Sequence, residues 1–136
     1  MRSPGRSSTG GNQTFRFLKS TPTPERMAKL QQRRGREVLY AEFKDGTREL
    51  RVGTKRSVDP PLRGDVVDRI HTQPSHGLPS QDDLNVIKLI VGMGSALREL
   101  KVVAPDGTLF IHHLDNRGRA LRGPRGRLQI TVVRPN

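Results

Sequence analysis

Ile70-His71-Thr72-Gln73-Pro74-Ser75-His76-Gly77-Leu78-Pro79-Ser80-Gln81-Asp82-Asp83-Leu84 is the stretch whose reading decides the fold. Val66, Val67 and Ile70 lead into it as a short apolar run, the pattern of a strand. Leu84, Val86, Ile87, Leu89 and Ile90 follow it at helical spacing. Pro74, Gly77 and Pro79 punctuate the turn between them. A strand runs in, a tight loop turns, and a helix leaves. Two of the four histidines stand at this corner with a serine and an aspartate. No other stretch gathers as many groups able to hold a metal.

Outward from the corner, the chain alternates short elements with turns. Thr23-Pro24-Glu25 opens a helix, with Thr23 as N-cap and Pro24 in the first turn, and Gly35 stops it. Residues 37–43 and 48–52 read as a hairpin around Asp45-Gly46. A third strand spans 65–70, and the helix after the corner begins near Gln81. Leu100 to Val103 and Thr108 to Leu114 form a second hairpin around Pro105-Asp106-Gly107, and 128–133 is the last strand. That order predicts a single small α+β domain, with a mixed sheet of about six strands and two main helices, over residues 24–136. Residues 1–23, rich in Ser, Gly, Arg and Pro, read as a flexible basic arm or linker.

Composition narrows the function classes. The chain has 136 residues, which suits one domain, and only 4% aromatics, which makes the core aliphatic and rules out a base-stacking platform. It has no cysteine, so disulfides, thiol catalysis and Cys-based zinc sites are excluded. No apolar run is long enough for a membrane span. The formal net charge of +12 makes nucleic acid or an acidic protein a natural partner. From Asn116 onward Arg117, Arg119, Arg122, Arg125 and Arg127 occur without an acid, and they either clamp phosphates or carboxylates or simply keep a small domain soluble.

At the corner two readings stand side by side. Residues i and i+2 of a strand share a face, so His71 and residue 73 can approach one ion together, with a carboxylate from the next helix closing the site. Equally, Ser80 suits an N-cap, and Asp82 and Asp83 are first-turn acids favoured by the helix dipole. His112 and His113 are adjacent on a strand and face opposite sides, so they cannot share one metal.

The run from His71 to Leu84 resembles the signature of the MPN/JAMM metalloprotease family, H-x-H-P followed by S-x-x-D, in the wording of its bacterial, polymorphic-toxin-associated branch. The resemblance implies cytidine-deaminase-like layering and zinc-dependent hydrolysis of an amide or isopeptide bond. The implied substrate is a protein, a peptide or a ubiquitin-like conjugate. The compartment is left open by the sequence: cytoplasmic, or delivered as part of a larger secreted toxin. Carried over by position, it makes His71 and Asp83 zinc ligands and Ser80 a stabiliser of the oxyanion. Glu37 becomes the general base, with Glu42 as the second choice. The departure is Gln73, which stands where the family has its second histidine, and a neutral amide is a poor zinc ligand. His76, in the turn, is the possible substitute. A metallopeptidase with a degenerate site, weakly active or inactive, is therefore expected. The alternatives are a basic binding module for nucleic acid or an acidic protein, and a small nuclease using His71, His76 or His112 with an arginine.

Overall fold

The computed structural model describes residues 13–135 except Arg56, Ser75 and His76. Seven strands and two helices follow in chain order: β1 (Thr14–Leu18), α1 (Pro24–Arg34), β2 (Val38–Phe43), β3 (Arg48–Val52), β4 (Val66–Thr72), α2 (Gln81–Gly92), β5 (Glu99–Val103), β6 (Leu109–His113) and β7 (Ile130–Val133). The fold is the expected α+β domain with one mixed sheet, ordered β1-β3-β2-β4-β5-β6-β7. All neighbours are antiparallel except β4 and β5, which are parallel and joined by the α2 crossover.

The added strand is β1. The Phe15–Leu18 patch, expected to belong to a flexible arm over 1–23, instead pairs antiparallel with β3 along Thr14–Leu18. Its alternating Phe15 and Phe17, which meet edge to face with centroids 5.8 Å apart, are the period-two signal of a strand. β4 also runs two residues further than the apolar pattern showed, so His71 lies on the strand itself.

Alternation in β2 builds the layers. Val38 and Tyr40 face α1 and pack with Met27, Ala28, Leu50, Ile70 and Val103. Ala41 and Phe43 face the other way, toward Ile87, Ile90 and Val91 of α2 and Val66, Leu100 and Val102 of the sheet. Full burial of a valine, leucine, isoleucine, phenylalanine or methionine side chain among them contributes roughly 1.5–3 kcal/mol. Both helices start where their caps dictate. Thr23 Oγ1 accepts from the Arg26 amide and Gly35 ends α1 at a left-handed φ of 62°. Ser80 and Asp83 form a reciprocal capping box on α2.

Candidate functional site

Three elements converge on the corner. β4 turns Arg69, His71 and the following Gln73 to the α2 side, the first turn of α2 supplies Asp83, and the residue just before β2 supplies Glu37. Glu37 is fixed in place because its amide donates to Thr54 O while its carbonyl accepts from Gly53. All five side chains are buried.

His71 is the centre of the cluster. Its Nε2 lies 3.2 Å from Glu37 Oε2. Its Nδ1 lies 3.1 Å from Asp83 Oδ1, within ion-pair reach but out of line for a hydrogen bond. Burial opposes a charged imidazole, but the carboxylates of Asp83 and Glu37 outweigh it and raise the His71 pKa above its ordinary value. Asp83 moves the other way. Burial works against its charge, yet His71, Arg69 and the Ser80 amide together hold it well below the usual carboxylate range.

Asp83 is fully engaged. Oδ1 takes Arg69 Nη2 at 3.1 Å in addition to His71. Oδ2 accepts from Gln73 Nε2 and from the Ser80 amide, each at 3.1 Å. Ser80 Oγ in turn accepts from the Asp83 amide at 3.1 Å, so both sides of the capping box are closed.

The sequence did not single out Arg69. It is 3% exposed, and among the described residues its Nε and Nη1 have no hydrogen-bond partner. Burial pulls its pKa down against the stabilising pull of Asp83. The available signal was parity: Arg69 sits two residues before His71, on the same strand face, where a core-facing strand ordinarily carries an apolar residue.

These residues do not fit zinc as they stand. The two nitrogens of one imidazole point away from each other, and here they address different carboxylates. An ion on Nε2 would therefore meet Glu37 and not Asp83. The oxygens of Asp83 already accept from three protein donors and face the His71 imidazole, and Gln73 turns its NH₂, a donor, into the corner. Among the described residues no group of three or more His, Asp or Glu is arranged to hold a metal ion. His76, the possible substitute ligand, lies outside the described residues.

The other expectations sort by face. Glu42, the second choice for a base, is on the α1 side of the sheet, where it pairs with Arg48 at 3.4 Å and accepts from Tyr40 OH. It cannot serve the His71 corner. His112 and His113 do face opposite sides. His112 is buried, with Nε2 2.9 Å from Gly77 O, and His113 Nε2 lies 2.8 Å from Thr131 Oγ1. Gly77 lies so close on the Phe110 ring that any Cβ there would collide with it, which pins the loop to β6. Arg117, Arg119, Arg122, Arg125 and Arg127 are all exposed; Arg119 pairs with Asp115 and Arg122 donates to Gly126 O. Among the described residues no helix is long and apolar enough to cross a membrane.

Comparison with protein-family models, with curated proteins and with solved structures finds no match to this chain. The class defined by fold and site is a small α+β domain with a buried, charged corner beneath a crossover helix.

Proposed function

We propose that this chain is a JAMM-like domain whose metal corner is closed by its own side chains, and that it works as a basic binding module and not as a peptidase. One observation carries the reading: Asp83, the carboxylate at the ligand position, accepts from Arg69, Gln73 and the Ser80 amide while also facing His71. The Arg69 guanidinium supplies the positive charge beside Asp83 that an ion would otherwise bring, and Gln73 satisfies the other oxygen. The exposed arginines from Arg117 to Arg127 then provide the surface for an acidic protein or a nucleic acid. His71 and His112 are buried and engaged, so neither supports the nuclease alternative.

The test is zinc content by elemental analysis on three chains: this one, Gln73→His, and Gln73→His with Arg69→Leu, each checked for folding by circular dichroism. The first two should hold far less than one equivalent, because Arg69 keeps Asp83 in both. The double variant should take up about one zinc per chain. A chelator should leave the melting temperature of the unaltered chain unchanged. Stoichiometric zinc in the unaltered chain would overturn the reading. No zinc in any of the three would remove the JAMM resemblance at the site and leave only the binding module.

A further inference from the structure

β7 ends the sheet, with β6 on one side and, among the described residues, no strand on the other. The pairing fixes which of its backbone groups are free. His113 N donates to Gln129 O, and the register continues as Ile111 opposite Thr131 and Leu109 opposite Val133. Antiparallel ladders alternate, so Thr131 and Val133 spend their N–H and C=O groups on β6. Ile130 and Val132 turn theirs outward.

The side chains are as open as the backbone. All four residues of β7 are exposed, Ile130 and Val132 at 36% and 46%, and Leu121 and Leu128 are exposed nearby. Arg125 and Arg127 stand exposed before the strand and Arg134 after it, and no acid occurs beyond Asp115. An uncovered apolar edge invites a strand from another chain. A second copy of this chain fits it poorly, because antiparallel pairing sets the Arg127 end of one β7 against the Arg134 end of the other.

We infer that the outer edge of β7 is a docking site for an extended acidic segment of a partner protein, which adds to the sheet as an eighth strand. Main-chain hydrogen bonds to Ile130 and Val132 hold it, alternate apolar side chains cover those two residues, and carboxylates reach Arg127 and Arg134. The inference does not depend on the metal corner, which lies on β4 and α2, so either can fail alone.

The test uses a fluorescent peptide of about eight residues alternating Glu and Val. Its partners in the assay are a copy N-methylated at alternate positions, a single-stranded RNA, the unaltered chain, Val132→Pro, and Arg127→Glu with Arg134→Glu. Proline at 132 removes one outward N–H at an edge position that tolerates it. The peptide should bind the unaltered chain and slow amide exchange at Ile130 and Val132. Binding should fall about tenfold or more for Val132→Pro and for the charge-reversed pair, and should be absent for the N-methylated copy. Equal binding of the N-methylated peptide, or no effect of Val132→Pro, overturns strand addition. RNA binding that displaces the peptide overturns the acidic-protein assignment. Self-association that protects Ile130 and Val132 gives the edge to a second copy and overturns it as well.

Discussion

At the residue scale the corner is an electrostatic problem solved with two bases and two acids. Arg69 and His71 face Asp83 and Glu37 in a space nearly closed to water, where each charge needs its partners. Removing one partner from such a pair strands the other, at a cost of about 3–5 kcal/mol. The raised His71 pKa ties stability to pH. An imidazolium favoured by the fold adds stability that is fully present below the unfolded histidine value of about 6.5. That stability drains away as pH rises through the higher folded value. The depressed Asp83 contributes in the opposite sense: its stabilisation is present above 3.8 and is lost as pH falls below it. The melting temperature of the unaltered chain should therefore drop between pH 6 and pH 9, and the His71→Asn variant should lose that slope. An unaltered chain equally stable at both ends of the window would show that His71 stays neutral.

At the element scale α2 matters most, because it crosses between the two parallel strands and carries Asp83 on its first turn. Its start is set by Ser80, whose hydroxyl caps the Asp83 amide while the Asp83 carboxylate caps the Ser80 amide. Ser80→Ala should cost about 1 kcal/mol in urea unfolding, the usual size for an N-cap. A loss several times larger would mean that Ser80 also fixes the Asp83 carboxylate against Arg69. Ser80 was legible in the sequence as a cap and, through the family resemblance, as an oxyanion group; the structure displays the cap. The loop before it is held from below, since Gly77 rests on Phe110 and takes a hydrogen bond from His112 if that ring is protonated at Nε2.

At the scale of the whole molecule the charge is lopsided. A net charge of +12 on 136 residues raises self-repulsion in the compact state, and much of it sits on exposed arginines after β6. Salt screens that repulsion. Raising ionic strength from about 20 mM to about 300 mM, where the Debye length falls below 10 Å, should raise the melting temperature by a few degrees. A fall instead would show that the surface ion pairs, such as Arg63 with Asp65 and Lys101 with Asp68, outweigh the repulsion.

Local signals by themselves determined the helices, the hairpins at Asp45-Gly46 and Asp106-Gly107, and the strand–loop–helix corner, because caps, turn glycines and apolar periods act over a few residues. They also put His71, Gln73, Ser80 and Asp83 within reach of one another, and Glu37 was named by the family resemblance. Tertiary structure alone decided the rest. β1 is ordered because β3 offers it an edge; the alternation of Phe15 and Phe17 marks a strand but does not name the partner it pairs with. Glu42 was separated from the corner by the parity of β2, which sends it to the opposite face of the sheet from His71. Arg69 became the counter-ion of Asp83 only when β4 and α2 packed together, and an isolated strand pattern cannot say which buried charge meets which. Sequence spacing places groups along one element, whereas pairing across elements depends on how the layers stack.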